Sequence, residues 1–165
     1  PLEQKLSEEA YWPFWLPYIQ EQRMNKETPL LYKQLAQLLE GTDYFVIDSN
    51  PDGFLQRSGL KLARIYKVQG DMARVQCSRN CQNHSWIGKQ YFTQVAEDTA
   101  NLPKCPHCGA PLVMNVYVGK NFCDEPYREK NEAWFHFINS SAHDKLAILE
   151  LGVGYTMPEL IRFPF

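Results

Sequence analysis

The chain has 165 residues, of which 44% are hydrophobic and 22% are charged, and its formal net charge at pH 7 is −2. This composition supports one domain with a hydrophobic core, or one domain with a small insert. Nucleic-acid binders of this size are usually basic, so the near-balanced charge disfavours that class of partner. The sequence has no apolar run of about 18 residues, as a membrane span requires, and it does not start with a secretory signal pattern.

Two helices are predicted in the first 41 residues. Ser7 is a candidate N-cap for the first, and aromatic residues follow it at three- and four-residue spacing. Pro13 and Pro17 argue against one uninterrupted helix there. A threonine and a proline at 28–29 predict the start of a second helix, which should carry leucines on one face and end at Gly41.

The next region predicts two strands, each followed by a polar loop. Residues 44–47 are aromatic and β-branched and predict a buried strand, with the polar loop 48–53 behind it. Residues 64–68 predict a second strand, which leaves the sheet at 69–70. Alternation of helix and strand is typical of an open parallel α/β sheet. Such sheets bind ligands beyond the carboxyl ends of their strands, where both polar loops are expected.

Three further elements are predicted towards the end of the chain. Residues 111–118 predict a strand, 127–139 a helix and 145–151 an apolar strand. The last strand runs into Gly152, Val153 and Gly154. Close-set glycines after a buried strand let backbone N–H groups approach a phosphate or ribose, although a plain tight turn explains them equally well.

Two pairs of cysteines predict a metal site. Zn²⁺ takes four thiolates at the corners of a tetrahedron, and two tight turns can each supply two of them. All four coordination positions of the metal would be filled by the protein, so the site would be structural. The five cysteines of the chain suit a reducing, cytoplasmic compartment. Buried free thiols or two disulfides are the alternatives, and Cys123 is interpreted as a spare small residue. The predicted zinc ligands are Cys77, Cys81, Cys105 and Cys108.

Several of these stretches, taken in order, resemble the sirtuins, the Sir2 family of NAD-consuming enzymes. Residues 47–53, Ile-Asp-Ser-Asn-Pro-Asp-Gly, resemble the sirtuin strand-exit motif Thr-Gln-Asn-Ile-Asp-Gly. Residues 67–70, Lys-Val-Gln-Gly, resemble Glu-Leu-His-Gly, which carries that family's catalytic histidine. The cysteine pairs follow where sirtuins have their zinc module, and residues 152–154 resemble the glycine-led turn that touches the NAD ribose. The resemblance extends over most of the chain, from about residue 28 onward.

The resemblance implies an α/β fold, a Rossmann-like parallel sheet with an inserted small zinc-ribbon and helical domain, and NAD held between the two. Residues 1–70 and 144–165 would then belong to the NAD-binding domain, with 1–27 alternatively a helical module of the small domain. Residues 71–120 would form the zinc-binding module and 121–143 a connecting helix.

The resemblance also implies roles for individual residues. Asn50 would hold the ribose hydroxyls or a site water, and Asp52 would bind the nicotinamide carboxamide. Asn50 and Gln69 would be the catalytic pair. An alternative interpretation of the loop is a set of common turn formers, Asn-Pro-Asp-Gly, without a ligand. The residues expected to bind the cofactor are Ser49, Asn50, Asp52, Gln69, Gly152, Val153 and Gly154.

The sequence departs from the sirtuin pattern in three ways. Gln69 stands where the histidine base belongs, and Pro51 removes one backbone N–H from the expected nicotinamide pocket. The family's glycine-rich phosphate loop and first strand would precede Pro1, so we expect the sequence to be part of a longer protein. An isolated fragment could then be inactive.

The departures resemble one branch, the macrodomain-linked (class M) sirtuins of microbes, in which glutamine replaces the histidine. Members of that branch are described as protein ADP-ribosyltransferases that act on a lipoyl-carrier protein. The resemblance therefore implies transfer of ADP-ribose from NAD to a protein acceptor, with a macrodomain protein as a further partner. Two alternatives remain open: an NAD-dependent deacylase that uses another base, and a non-enzymatic zinc-ribbon interaction module.

Overall fold

The structure is a computed structural model that describes residues 6–143 and 145–153. Its α-helices are α1 (Glu8–Ile19), α2 (Leu30–Leu38), α3 (Lys89–Glu97) and α4 (Arg128–Ser140), and a π-helical segment (Gln20–Asn25) continues α1. Its strands are β1 (Val46–Asp48), β2 (Ile65–Lys67), β3 (Gly70–Cys77), β4 (Ser85–Ile87) and β5 (Leu112–Val116). Short 3₁₀ turns cover Leu55–Arg57, Leu62–Arg64 and Glu125–Tyr127.

Helix α1 is continuous, so the prediction that its prolines would interrupt it was wrong. Ser7 caps the helix as predicted, since its hydroxyl accepts a hydrogen bond from the backbone N–H of Ala10 at 3.3 Å. Pro13 and Pro17 lie four residues apart and are both exposed. The carbonyl groups that lose helical hydrogen bonds there can therefore bond to water, while the opposite face is held by packing. That face buries Trp12, Leu16 and Ile19.

The two predicted strands at the start of the sheet pair in parallel, which confirms the expected α/β arrangement. Val46 lies beside Ile65, and Asp48 lies beside Lys67. The pairing extends one bond further, because Val68 N–H donates to the carbonyl of Asp48 at 3.1 Å. Parallel strands leave a sheet at the same edge, so the loops that follow β1 and β2 are neighbours.

The zinc stretch belongs to a second, antiparallel sheet with the strand order β4-β3-β5. Strand β5 was predicted, whereas β3, β4 and α3 were not. Residues 73–77 of β3, Ala-Arg-Val-Gln-Cys, alternate apolar and polar side chains, which is a strand pattern, although no strand was predicted there. Six of the eight residues of β3 are buried, because β4 and β5 pair with its two edges and α3 packs against it.

The buried apolar side chains form two clusters. One cluster joins α1 to α3 and to the antiparallel sheet, with Trp12, Ile19, Val75, Val95 and Leu112 at its centre. The other lies under the parallel pair, where Leu55, Leu60 and Ile65 contact residues of α2. Helix α1 therefore shares its core with the sheet that carries the cysteines. The domain boundaries given above stay a prediction.

The predicted strand at 145–151 is wrong, since residues 145–150 have no regular secondary structure. Their large apolar side chains are exposed, Ile148 to 72% and Leu149 to 65%. A strand exists only where a neighbouring strand accepts and donates its backbone hydrogen bonds. Along 6–143 and 145–153, no strand lies beside this segment. No helix in the described part of the chain is long and apolar enough to cross a membrane.

Gly70, which begins β3, is expected to tolerate no side chain. Its φ is +89°, and an added Cβ would lie 2.2 Å from the carbonyl oxygen of Asn115, which is backbone and cannot move aside. Gly70→Ala should lower the free energy of unfolding by about 3 kcal/mol, from left-handed strain and overpacking together. Urea denaturation measures this loss.

Gly59→Ala is the matched control, because Gly59 has a φ of +104° with nothing within 4 Å of the added Cβ. It should cost about 1 to 2 kcal/mol, the strain alone. Equal losses in the two variants would contradict the close approach at Gly70.

Candidate functional site

The loop after β1 and the turn after β2 lie side by side. The last paired residues are Asp48 and Lys67, and Asn50 and Gln69 each follow two positions later. Met72 N–H donates to the carbonyl of Pro51 at 3.0 Å, which fastens the first loop to the start of β3. The structure therefore brings the two predicted catalytic residues to the same edge of the sheet, on adjacent strand exits.

Two aspartates shape the loop between β1 and the first 3₁₀ turn. The carboxylate of Asp48 accepts the backbone N–H of Asn50 at 2.9 Å, and that of Asp52 accepts the N–H of Phe54 at 2.9 Å. Gly53, which follows Asp52, has a φ of +73°, which favours glycine. The Asn50 side chain is exposed and Asp52 is partly buried, so both can face a ligand. Ser49 lies between the two aspartates and is also partly buried.

Gln69 is held through its backbone. Its carbonyl accepts the N–H of Tyr117 at 2.9 Å, and Gly70 follows it in the left-handed region. This fixes the turn against the end of β5. A glutamine amide can donate and accept hydrogen bonds but cannot take up a proton near neutral pH. Gln69 can therefore orient a neighbouring group but cannot act as a base.

Sequence analysis missed two buried carboxylates beside these loops. Asp48 is 2% exposed, and Asp71 is 8% exposed. The position of Asp48 at the end of an apolar strand could have pointed to it, because polar residues at strand exits often contact ligands. Asp71 forms ion pairs with Lys67 and with Arg23. Arg23 is 48 residues away in sequence, so no local sequence pattern predicts its pairing with Asp71.

The environment of Asp48 favours its protonated form. Burial raises the pKa of Asp48 to about 6, although the Asn50 N–H and the nearby charge of Lys67 oppose the shift. Asp71 behaves in the opposite way. Burial alone would raise its pKa, but the hydrogen bonds and positive charges of Arg23 and Lys67 outweigh burial and hold the pKa of Asp71 below its ordinary value.

The four predicted zinc ligands converge on one point. Their sulfur atoms all lie within 4.8 Å of one another, and the Cys77–Cys108 and Cys81–Cys105 sulfurs are 3.5 and 3.6 Å apart. Four thiolates about 2.3 Å from a tetrahedral Zn²⁺ are about 3.8 Å from one another, so the cluster has the size that zinc requires. All five cysteines are unbonded, which does not fit the disulfide alternative.

The backbone around the cluster has the turns that direct two sulfurs to one side. Asn80 has a φ of +46° and Gly109 a φ of +69°, and Gly109 N–H donates to the carbonyl of Cys105 at 2.9 Å. Burial opposes ionisation of Cys77, but the backbone N–H groups of Cys81 and Arg79 lower the pKa of its thiol to about 7. A thiolate prepared in this way is the form that binds Zn²⁺.

The glycine-led segment is only partly within the described residues. Gly152 has a φ of +65° with open space above it, and Val153 is partly buried. Gly154 lies outside the described residues. The roles proposed for these three positions at the NAD ribose stay predictions.

The cavities near the strand exits are small. One of about 30 Å³ lies beside Lys67 and Val68, and it is closed on the other side by Phe122 and Tyr127. A larger one of about 220 Å³ lies between the start of α1 and residues 102–113, and neither strand-exit loop lines it. Neither of these two cavities is large enough to enclose a dinucleotide.

Two curated proteins are similar to the chain. A protein ADP-ribosyltransferase of Staphylococcus aureus is 27% identical over 95% of this chain and 53% of its own length. A probable bifunctional ADP-ribose hydrolase/ADP-ribosyltransferase of Fusarium oxysporum is 29% identical over 96% of this chain and 29% of its own length. The chain thus spans about half or less of the relatives it matches. No protein-family model matches it.

Solved sirtuin structures share the fold. Sir2 bound to an acetylated peptide has a TM-score of 0.54 and 23% identity, covering 82% of this chain and 52% of that one. A complex of Sir2 with a p53 peptide and NAD⁺ has a TM-score of 0.54 and 23% identity, and the match covers 82% of this chain and 51% of that one. The sirtuin fold implied by the sequence motifs is therefore confirmed for the matched part of the chain.

Metal content tests the cysteine cluster. The purified protein should hold about one tightly bound zinc per chain, and Cys105→Ser should lose it and unfold at lower temperature, because a serine hydroxyl is a poor ligand for Zn²⁺. Mass spectrometry of the metal and a thermal scan measure both effects. Cys123→Ser is the control, since Cys123 is buried away from the cluster and should keep the metal. Equal zinc in both variants would contradict the assignment.

The raised pKa of Asp48 predicts a pH-dependent loss of stability. The unfolded carboxyl titrates near 4 and the folded one near 6, so the folded state binds more protons between these values, and stability falls as pH rises through them. Asp48→Asn removes this cost. As the pH rises from 4 to 7, the free energy of unfolding of the variant should therefore increase by about 3 kcal/mol relative to that of the native protein. Urea denaturation at several pH values measures the difference.

Asp43→Asn is the control, because the Asp43 side chain is 73% exposed and pairs only at the surface with Arg64. The difference in stability between Asp43→Asn and the native protein should be small, because an exposed ion pair contributes little to stability. A constant difference for Asp48→Asn over the same pH range would show that Asp48 titrates normally in the folded state.

Proposed function

We propose that the full-length protein transfers ADP-ribose from NAD to a protein acceptor and releases nicotinamide. The observation that carries this proposal is the pairing of two strand exits, one with Asn50 and Asp52 and the other with Gln69 in place of a base. The similarity of the chain to two proteins named as ADP-ribosyltransferases supports the same activity. The known complex of Sir2 with NAD⁺ supports NAD as the co-substrate of this fold.

The first step needs orientation and charge stabilisation rather than a base. The bond between C1′ of the ribose and the nicotinamide nitrogen breaks, its electron pair leaves with nicotinamide, and positive charge builds on the ribose. Hydrogen bonds that hold the carboxamide and the ribose hydroxyls favour this geometry. Asp52 is proposed to hold the carboxamide, and Asn50 to hold a ribose hydroxyl or a water. Ser49 and residues 152–154 are proposed to line the nucleotide.

The second step decides between transfer and deacylation. In transfer, a nucleophile of the acceptor forms a bond to C1′ and gives its proton to solvent. In deacylation, an acyl oxygen attacks first, and a base must then take a proton from a ribose hydroxyl. Histidine suits that role because it titrates near neutral pH, whereas the amide of Gln69 cannot accept the proton. The site is therefore suited to transfer.

The acceptor and the partner follow from the resemblance to the macrodomain-linked sirtuins. We propose a lipoyl-carrier protein as the acceptor and a macrodomain protein that acts on the modified product. The name of the Fusarium relative, which joins an ADP-ribose hydrolase to a transferase, supports coupling of the two activities. The four cysteines are proposed to hold a structural zinc that stabilises the antiparallel sheet.

A second candidate is an NAD-dependent deacylase. The structural likeness to Sir2 bound to an acetylated peptide favours it. It requires another base near the ribose, and Asp48 is a buried carboxyl two residues before Asn50, with its pKa raised by burial to about 6. Its carboxylate is already engaged by the N–H of Asn50, which leaves the deacylase as the weaker candidate.

Label transfer tests the proposal. The full-length protein is incubated with NAD labelled in its adenylate phosphate and with a lipoyl-carrier protein, and protein-bound label is measured. Asn50→Ala should lower the rate by about 100-fold, because it removes a group that stabilises the transition state. Asn101→Ala is the control, since Asn101 is an exposed asparagine in a loop remote from both strand exits.

Rapid deacetylation of an acetylated peptide, with no label on any protein, would contradict the proposal. Equal activity of the two asparagine variants would instead contradict the placement of the site at Asn50.

A further inference from the structure

One carboxylate joins three elements behind the two strand-exit loops. Arg23 donates to both oxygens of Asp71, from Nε at 2.9 Å and from Nη2 at 3.2 Å. Lys67 donates to the same carboxylate at 2.8 Å, and the backbone N–H of Ala73 donates at 2.7 Å. The side chains of Arg23, Asp71 and Lys67 are 17%, 12% and 6% exposed, so water competes little for these bonds.

Arg23 also covers the loop that carries Asn50 and Asp52. A Cβ added to Gly53 would lie 2.5 Å from the central carbon of the Arg23 guanidinium, so the guanidinium occupies the space of a side chain at that position. Arg57 contacts the same residue, because its Nε donates to the Gly53 carbonyl at 3.3 Å. Two guanidinium groups therefore contact the end of the loop.

The backbone that presents Arg23 is unusual. Residues Gln20–Asn25 form a π-helical segment directly after α1, and Arg23 lies within it. A wider helical turn changes the direction in which its side chains leave the axis, and such turns are often found at functional sites. Because Trp12, Leu16 and Ile19 anchor α1 on the antiparallel sheet, Arg23 links that sheet to the parallel pair.

The two residues of the Lys67–Asp71 ion pair flank the second exit loop. Lys67 precedes Gln69 by two residues, and Asp71 follows it by two. The bond from Met72 N–H to the Pro51 carbonyl lies next to Asp71 and ties the two loops together. A displacement of the Arg23–Asp71 pair would therefore change the position of Asn50 and Asp52 relative to Gln69.

From this juxtaposition we propose that Arg23 is a positioning residue, which holds the 49–53 loop in register with Gln69 through its two-pronged pair with Asp71 and its contact with Gly53. The proposal rests on the transferase function in one respect: the position of the 49–53 loop relative to Gln69 is taken to affect the rate of nicotinamide release. The planar fork of arginine can bond both oxygens and cover Gly53 together, whereas a lysine ammonium is a single point charge.

The test compares Arg23→Lys with Arg64→Lys in the full-length protein. Arg23→Lys keeps the charge and so limits the risk of unfolding. Arg64 pairs with Asp43 at the surface, with side chains 37% and 73% exposed, and so controls for the same chemical change. Two readouts are used: amide hydrogen exchange of peptides that cover 49–54, and the steady-state rate of nicotinamide release from NAD.

Arg23→Lys should speed exchange in the 49–54 peptides by about 10-fold without changing that of residues 74–77 in β3, which pair with β4 and β5, since only local opening is affected. It should lower kcat for nicotinamide release by about 10- to 100-fold with KM for NAD changed by less than about 3-fold, because misplacement by about 1 Å has effects of that size. Arg64→Lys should match the native protein in both readouts.

Loop exchange as slow as in Arg64→Lys would overturn the proposal. Equally faster exchange at residues 74–77 of β3 would also overturn it, because Arg23 would then stabilise the whole antiparallel sheet rather than position the loop. A native protein that releases no nicotinamide would contradict the proposed function, while the exchange data would still decide whether Arg23 positions the loop.

Discussion

The parallel pairing of β1 with β2 is the constraint on which the site depends. Only three residues of each strand pair, from Val46 beside Ile65 to Asp48 beside Lys67, yet this register sets where both exit loops begin. A shift by one residue would turn every side chain to the other face of the sheet. Backbone bonds that continue past the strands, such as Val68 N–H to the Asp48 carbonyl, extend the constraint into the loops.

Charge around the exits is arranged in two different ways. Burial raises the pKa of Asp48 to about 6, whereas the arginine and lysine around Asp71 hold the pKa of that carboxyl below its ordinary value. The first aspartate shapes the loop through its hydrogen bond to a backbone N–H, and the second ties the sheets together. The zinc cluster lies at the other end of β3, at Cys77, so one strand connects the metal site to the candidate NAD site.

The sequence predicted the features that depend on local chemistry. The cysteine spacing predicted the metal cluster. Apolar runs that end in polar loops predicted β1, β2 and the sheet edge at which Asn50 and Gln69 both lie. Features that depend on distant contacts were missed or wrong. No local sequence pattern predicts the ion pair between Arg23 and Asp71. In α1, the packing of Trp12 stabilises a continuous helix despite its two prolines. The segment 145–151 has the composition of a strand but no strand beside it among the described residues.

We propose above all that Asn50, Asp52 and Gln69 form a single NAD site, with no proton acceptor in the place of a histidine. A crystal structure of the full-length protein with NAD tests it most directly. The account predicts a carboxylate oxygen of Asp52 within about 3.2 Å of the carboxamide nitrogen, with the ribose between Asn50 and the amide of Gln69. Nicotinamide bound away from the two strand exits, or a histidine within hydrogen-bonding distance of the ribose hydroxyls, would contradict it.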